Sequence, residues 1–153
     1  MDIKKIYQQN NLVIQKEEYT CGPTSLLNVL RDKGDSSYTE LEVAKLCNSN
    51  MKDGSLHKGM LKGAKAIGLK VVEHKEHADI KDIERNIDDG NYVIVNYFDA
   101  FTGYGHYGVI TEYDDKALYL RDCFFGLFRM EKKIFKKWWY GRDGIQQWYV
   151  AVK

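Results

Sequence analysis

A cysteine, a histidine and an aspartate are spaced in this sequence so that a folded chain could join them as nucleophile, base and orienting acid. Cys21 comes directly before Gly22 and Pro23, and an apolar helical stripe follows over residues 24–34. Proline is favoured in the first turn of a helix, which places Cys21 at a predicted helix N-terminus. The helix dipole and the unpaired N–H groups there favour the thiolate, which is the nucleophilic form of cysteine.

The candidate base is His106, which opens a predicted strand after the glycine-flanked loop TGYG at 102–105. Asp122 ends the next predicted strand, and a polar turn at Asp114 and Asp115 joins the two strands. Antiparallel strands that close on this turn bring positions 106 and 122 to the same end of the hairpin. We therefore predict that Asp122 orients the imidazole and stabilises its charged form.

Residues around this pair predict an oxyanion site and a substrate cleft. Gln15 lies shortly before Cys21, and its amide could donate to an oxyanion beside the backbone N–H of Cys21. Such a donor contributes about 3 to 4 kcal/mol to catalysis. Gly22 and Gly105 would let the backbone approach a bound substrate closely.

Three tyrosines flank the proposed catalytic residues: Tyr19, Tyr104 and Tyr107. They could form the wall of a cleft for an extended peptide, which would be held mainly by backbone hydrogen bonds. Because the chain has 11 tyrosines, packing in an aromatic core is an equally good interpretation.

Composition and charge exclude several classes of protein. The 153 residues carry 23 Lys plus Arg and 22 Asp plus Glu, so the concentrated positive charge of a nucleic-acid binder is absent. No apolar run approaches the length of a membrane span, and the first residues lack the apolar core of a secretory signal. We expect a single cytoplasmic domain over 1–153, without stable membrane insertion.

Three cysteines are an odd number at wide spacing, which is typical neither of a disulfide framework nor of a zinc site. Cys47 follows an apolar helical stripe and is predicted to be a packed thiol. Cys123 could be packed or could be a redox neighbour of the site.

The first half of the chain is mostly helical in pattern, and the second half alternates as strands do. Helices are predicted after Cys21, after a capping box at 39–42, after a Ser55 cap and after Asp79; strands are predicted from residues 69, 92, 106, 117, 126 and 147. A further helix within 130–141 has an apolar face of Ile134, Phe135, Trp138 and Trp139. This order predicts an α+β fold in which helices pack to one side or end of an antiparallel sheet.

Together these motifs resemble those of the papain-like cysteine peptidases. The run QKEEYTCGPTSLLNVL from Gln15, GHYGVI around His106 and RD at Asp122 are most similar to the double-glycine leader peptidases. Those enzymes form the N-terminal domain of bacteriocin-processing transporters and also have stand-alone relatives. The segment IFKKWWYG is similar to one near the end of those domains, so the resemblance spans about Gln15 to Val152.

The resemblance implies a papain-like fold with helices packed on a C-terminal antiparallel sheet. It also implies that Cys21 is the nucleophile, His106 the base and acid, Asp122 the orienting carboxylate and Gln15 the oxyanion donor. A peptide or protein would be cleaved through a thioester, after small residues of a leader-type peptide, without a metal or other cofactor. Association with a transporter is a further implication. The family usually has proline where this chain has Cys123.

Other interpretations of the same residues remain open. Some related domains bind peptides without catalysis, and acyl transfer or deamidation would use the same groups as peptide hydrolysis. His57, His74 and His77 could be combined into a metal site, although their spacing matches no known ligand pattern. Asp99 could replace Asp122 as the orienting acid.

Overall fold

The computed structural model describes residues 12–141 and 144–153. Its centre is a six-stranded sheet in which every neighbouring pair of strands is antiparallel. The strands are β1 Val71–Lys75, β2 Tyr92–Asp99, β3 Tyr104–Tyr113, β4 Ala117–Asp122, β5 Gly126–Glu131 and β6 Tyr149–Val152. Their order across the sheet is β1-β6-β2-β3-β4-β5, so β6 lies in the interior although it comes last along the chain.

The described residues form five helices: α1 Cys21–Asp32, α2 Glu40–Leu46, α3 His57–Ala66, α4 Ile80–Asp88 and α5 Lys132–Trp138. Helix α2 begins with the capping box predicted at Thr39 and Glu42, which is confirmed. The cap predicted at Ser55 is wrong. The N-cap of α3 is Leu56, whose apolar side chain cannot make a cap bond, and the Ser55 hydroxyl is instead paired with that of Ser49.

Helices cover both faces of the sheet, each over its own apolar core. One core joins α1, α2 and α3 to the face that carries Ile94, Val109 and Val150. The other joins α4 and α5 to the opposite face, through Ile83 and Phe135. The expected α+β class is confirmed, but the helices are not confined to one side or end of the sheet. Because helices cover both faces, β2, β3 and β6 carry buried apolar residues on both faces.

Helix α5 buries less of its apolar sequence than its spacing predicts. Phe135 and Trp139 are fully buried, whereas Ile134 is exposed and Trp138 is half-buried. The prediction that Ile134 belongs to the buried face is therefore wrong. A seven-residue helix docks only a narrow stripe against the sheet.

Cys47 is the packed thiol that the sequence predicts. Two glycines of α3 leave the space that its side chain and carbonyl occupy. A Cβ added at Gly63 would lie 2.2 Å from the Cys47 Sγ, and one at Gly59 would lie 2.2 Å from the Cys47 carbonyl oxygen. Burial raises the pKa of this thiol to about 12. Helix α3 thus approaches the end of α2 closely, and the Cys47 thiol remains neutral.

No helix among the described residues is long and apolar enough to cross a membrane.

Candidate active site

Cys21 is the first residue of α1, one position further into the helix than the sequence predicts. Thr20 is the N-cap, and Pro23 lies in the first turn. A backbone N–H in the first turn has no acceptor within the helix, so the N–H that proline lacks is not needed there. The Cys21 side chain is half-buried, so it remains accessible. The helix N-terminus therefore holds the thiol at the surface, beside unpaired N–H groups.

The β3–β4 hairpin brings His106 and Asp122 together as predicted. His106 Nε2 lies 3.0 Å from Asp122 Oδ1 and 2.9 Å from Oδ2. Asp122 is paired across the strands with Gly108, so the two side chains meet diagonally. A Cβ at Gly108 would lie 3.3 Å from Asp122 Oδ2, and only glycine leaves the carboxylate this much room.

The Asp122 carboxylate is fully buried and is surrounded by hydrogen-bond donors. The Tyr97 hydroxyl donates to Oδ2 at 2.6 Å, and the backbone N–H groups of Phe124 and Phe125 donate to Oδ1 at 2.8 and 2.9 Å. Burial alone would raise the pKa of Asp122, but the hydrogen bond and charge of His106, with these donors, hold the pKa below its usual value. Asp122 is therefore ionised at neutral pH.

The imidazole of His106 is buried among the groups that set its charge. Burial lowers the pKa of His106, but hydrogen bonds to the side chains of Asp122, Cys123 and Cys21 outweigh burial and raise the pKa well above its usual value. Nε2 faces Asp122, so Nδ1 is the ring nitrogen on the other side of the imidazole. Rings of Tyr97 and Phe125 lie edge-on to the imidazole at centroid distances of 5.5 and 6.2 Å.

Gln15 lies at the same site, on the segment that leads into α1. Its backbone N–H donates to the Cys123 carbonyl at 2.7 Å. Its side-chain Nε2 donates to the Glu17 carbonyl at 2.9 Å, and a longer contact of 3.4 Å reaches the Glu18 carbonyl. The amide is therefore beside Cys21 but is directed partly to its own loop.

Cys123 lies behind the site and is completely buried. Its thiol donates to Gln15 Oε1 at 3.0 Å and lies 3.4 Å from the Cys21 carbonyl and 3.9 Å from His106 Nε2. Burial raises the pKa of Cys123 to about 12, so its thiol is neutral. A neutral thiol in this place fixes which end of the Gln15 amide faces inward.

Two further residues hold the segment before Cys21 and were missed by sequence reasoning. Glu40, in the first turn of α2, accepts the backbone N–H groups of Lys16 and Glu17, and also the Thr20 hydroxyl. Asn28, buried in α1, pairs with both the N–H and the carbonyl of Val13, at 2.7 and 2.9 Å. A polar residue within an otherwise apolar helix stripe was the available signal for Asn28, whereas nothing local distinguishes Glu40.

Two of the residues predicted to line the substrate cleft are packed inside the protein. Tyr107 is 3% exposed and donates to the Ser55 carbonyl at 2.8 Å, so it belongs to the core. A Cβ at Gly22 would lie 2.6 Å from Met60 Sδ, which means that helix packing, and not substrate approach, requires this glycine. Both expectations are corrected, because each residue lies on the side of its element that packs against the core.

The remaining cleft residues stay near the surface. Tyr104 is exposed, whereas Tyr19 and Gly105 are half-buried. Asp99 does not contact His106: its carboxylate accepts the Phe101 N–H and the Thr102 hydroxyl and so forms the β2–β3 turn. The alternative in which Asp99 orients the imidazole is therefore wrong.

One group of potential metal ligands occurs among the described residues. The ligand atoms of His106, Asp122 and Cys123 lie within 4.8 Å of one another. The histidines of the alternative metal site are separated: His57 stacks on Trp148, and His74 lies in β1. In the one group found, the Nε2 that would bind a metal is already hydrogen-bonded to the carboxylate.

Sequence comparison relates most of the chain to one family. Residues 9–142 match the profile described as the Peptidase C39 family. An uncharacterized protein of Methanothermobacter marburgensis is 30% identical over 136 residues, which cover 89% of this chain and 87% of that protein. A second, from Methanothermobacter thermautotrophicus, is 30% identical over 126 residues, or 82% of this chain and 80% of its own.

Solved structures with the same fold are peptidase domains. The peptidase domain of Streptococcus ComA, a bi-functional ABC transporter, has a TM-score of 0.69 at 22% identity and covers 94% of this chain and 96% of its own. A C39-like peptidase from Bacillus anthracis has a TM-score of 0.69 at 15% identity and covers 93% of each chain. A double-glycine-motif protease from a PCAT transporter, solved with its leader peptide, gives 0.66 at 19% identity and covers 92% of this chain and 89% of that one.

Proposed function

The chain belongs to the peptidase C39 family, and from that premise we propose that it is a cysteine peptidase whose nucleophile is Cys21. The observation that carries the proposal is the environment of His106. Its imidazole is hydrogen-bonded to the buried, ionised Asp122, and the Cys21 side chain is near enough to help raise the pKa of His106. A nucleophile, a base and an orienting carboxylate within reach of one another are the parts that covalent amide hydrolysis requires.

In the acylation step, Cys21 Sγ attacks the carbonyl carbon of the scissile amide and forms the C–S bond. The proton of the thiol resides on His106 Nδ1, and the carbonyl π electrons move to oxygen. When the tetrahedral intermediate collapses, the C–N bond breaks and the leaving nitrogen takes the proton from His106. The products of this step are a thioester on Cys21 and a free amine.

In the second step, water gives a proton to His106 and attacks the thioester carbon. The C–S bond then breaks, the acid is released, and the Cys21 thiolate again faces the protonated His106. Asp122 holds the imidazole through both steps and compensates its charge when it is protonated. The net reaction consumes one water for each amide cleaved.

We assign the oxyanion site to the Cys21 N–H and the Gln15 amide. One hydrogen of Gln15 Nε2 is used in the 2.9 Å bond to the Glu17 carbonyl. The longer contact, 3.4 Å to the Glu18 carbonyl, is the one that an oxyanion would replace. The thiol of Cys123 and the clamp of Glu40 on the preceding loop keep the amide in place for this role.

We further propose that the substrate is a leader-type peptide cleaved after small residues. The similarity of the fold to a double-glycine-motif protease solved with a leader peptide, and to the peptidase domain of a transporter, supports this choice. A transporter partner and a cytoplasmic location remain predictions on the same ground.

The nucleophile is tested by the pH dependence of iodoacetamide alkylation at Cys21. If His106 holds the sulfur as a thiolate, Cys21 reacts at pH 6 much faster than a cysteine in a short unstructured peptide, whose thiol has an ordinary pKa of about 8.5. The His106→Gln variant is the matched control and should lose this excess rate. A Cys21 rate equal to that of the free thiol at pH 6 would reject the assigned nucleophile.

The reaction is tested by incubation of the protein with a peptide library and by mass spectrometry of the products. Wild type should release fragments enriched in cleavage after small residues, and the Cys21→Ala variant should release none while remaining folded. Fragments from Cys21→Ala would contradict the mechanism. Peptides retained but uncleaved by wild type would instead support a noncatalytic binding domain.

A further inference from the structure

Three phenylalanines form an exposed aromatic shelf next to His106: Phe101, Phe124 and Phe125. Phe101 is 92% exposed, Phe124 is 56% exposed and Phe125 is 38% exposed. Ring centroids of Phe125 lie 5.0 Å from Phe124 and 6.2 Å from Phe101, so the three rings are contiguous. Single exposed apolar residues are normal, but a contiguous group beside a reactive centre indicates a binding surface.

The shelf is attached to the catalytic groups by the backbone. The N–H groups of Phe124 and Phe125 are donated to Asp122 Oδ1, and the Phe125 ring contacts the imidazole edge-on. On the other side, Asp99 accepts the Phe101 N–H and thereby fixes the turn that presents this ring. The shelf is therefore held at a fixed distance from His106.

The proton transfer from His106 to the leaving nitrogen indicates which part of a substrate contacts the shelf. The leaving nitrogen must come within hydrogen-bond distance of the imidazole to take its proton. The acyl part, by contrast, is bonded to Cys21, and its oxygen points to the Gln15 amide. Side chains that pack around the imidazole therefore face the amine part of the substrate, which begins at the leaving nitrogen.

We propose that the aromatic shelf binds the amine part of the substrate, and that this part carries an aromatic or large aliphatic side chain within its first two residues. The proposal rests on the proposed peptidase function and adds a specificity on the side released first. Contact with two or three phenylalanine rings favours an apolar side chain over a polar one by about tenfold. The same contact would hold the amine product after acylation.

A binding experiment tests the shelf without requiring catalysis. The probes are two tripeptide amides with free amino termini, Phe-Leu-Ala-amide and Ser-Asn-Ala-amide, titrated into the Cys21→Ala protein and followed by NMR chemical shifts. The apolar probe should bind about tenfold more tightly than the polar one. This preference should disappear in the Cys21→Ala/Phe124→Ser protein. Equal binding of the two probes, or an unchanged preference with Phe124→Ser, overturns the proposal.

A turnover experiment uses peptides that are identical before the scissile bond and differ only after it. In wild type, kcat/KM should be about tenfold higher when an apolar residue follows the bond, and the Phe101→Ser variant should remove most of this ratio. Phe101 is almost fully exposed, so the variant should fold. Met51→Ser, at another exposed apolar position, is the matched control and should leave the ratio unchanged.

The two experiments separate failure of the shelf from failure of the peptidase proposal. If wild type cleaves nothing, the binding titration still decides whether the shelf takes an apolar amine. If wild type cleaves peptides with no preference after the bond, the shelf proposal is wrong and the peptidase proposal stands. Self-association of wild type that Phe101→Ser abolishes, without a change in the cleavage ratio, would identify the shelf as a contact between copies and overturn the proposal.

Discussion

Replacing Tyr97 with phenylalanine tests whether a buried hydroxyl maintains the charge of Asp122. Tyr97 is 3% exposed, and its hydroxyl donates to Asp122 Oδ2 at 2.6 Å. Burial, followed by the negative charge of Asp122, raises the pKa of Tyr97 well above its usual value, so the hydroxyl is always a donor. The substitution removes this hydrogen bond and leaves the ring in place.

The size of the effect follows from the strength of a hydrogen bond to a charged group, about 1.5 to 3 kcal/mol. One pKa unit corresponds to about 1.4 kcal/mol, so the pKa of Asp122 should rise by about one to two units. The folded-state pKa of Asp122 is depressed, and its contribution to stability is present above the unfolded value of about 3.9. It is lost as pH falls through the folded-state pKa. In Tyr97→Phe the folded-state pKa lies closer to the unfolded value, so the contribution is smaller and its loss is complete at a higher pH.

Two measurements detect the change. Urea unfolding at pH 7 should show a free energy of unfolding lower by about 1.5 to 3 kcal/mol. The acid limb of the pH profile, measured as kcat/KM or as the alkylation rate of Cys21, should move to higher pH by about one to two units.

Tyr107→Phe is the matched control for this substitution. Tyr107 is equally buried, but its hydroxyl donates to the neutral carbonyl of Ser55. Its loss should lower stability by about 0.5 to 1.5 kcal/mol and leave the acid limb in place. An unchanged acid limb in Tyr97→Phe, or an equal shift in both variants, would refute the argument that Tyr97 acts through the Asp122 carboxylate.

Three sets of variants and one pH measurement test hydrogen bonds at the site and packing elsewhere in the fold. Cys123→Ala removes the donor to Gln15 and should lower kcat. Cys123→Ser keeps a donor, so its kcat should be higher than that of Cys123→Ala. Equal kcat values for the two variants in a steady-state assay would contradict the role of this thiol. Glu40→Ala should release the loop before Cys21 and increase its hydrogen exchange, with Glu40→Gln intermediate; unchanged exchange in both would show that the clamp is not needed. Gly63→Ala should lower stability in urea by about 1 to 3 kcal/mol, and Cys47→Ala in the same chain should restore most of it, because the added Cβ meets the Cys47 Sγ. The free energy of unfolding should fall as pH rises from 9 to 10. The Cys47 and Cys123 thiols ionise near their usual pKa in the unfolded chain, whereas in the folded chain they ionise only at about 12. A free energy of unfolding that stays constant over this pH range would count against neutral buried thiols.

The parts of the site that depend on local pattern could be predicted from the sequence. A cysteine before Gly-Pro and an apolar stripe specifies a helix N-terminus, because capping and helical period act over a few residues. The β3–β4 hairpin brings His106 and Asp122 together because its register is set by one short turn. The irregularity between Ile110 and Glu112 was not predictable, yet it makes the pair meet diagonally.

The parts that depend on distant pairing could not be predicted. Tyr97 reaches Asp122 only because β2 pairs with β3 on the side opposite to β4, and no local pattern contains that order. Glu40 and Asn28 are missed for the same reason, since each contacts a segment more than ten residues away. For Tyr107, the sequence was equally consistent with a cleft residue and with a core residue. Its burial beneath α3 is decided by the packing of helices on the sheet.

Because β6 follows the other strands along the chain, the sheet can be completed only late in synthesis. Strands β1 and β2 are made early, but both hydrogen-bond to β6, which follows every other strand along the chain. Until β6 has left the ribosome, β2 lacks one of its two neighbours, and β1 has no neighbour among the strands described. A nascent chain that already contains Cys21, His106 and Asp122 can therefore pair strands β2 through β5, but it still lacks Val150 and Val152 of β6, which complete the core against which α1 packs.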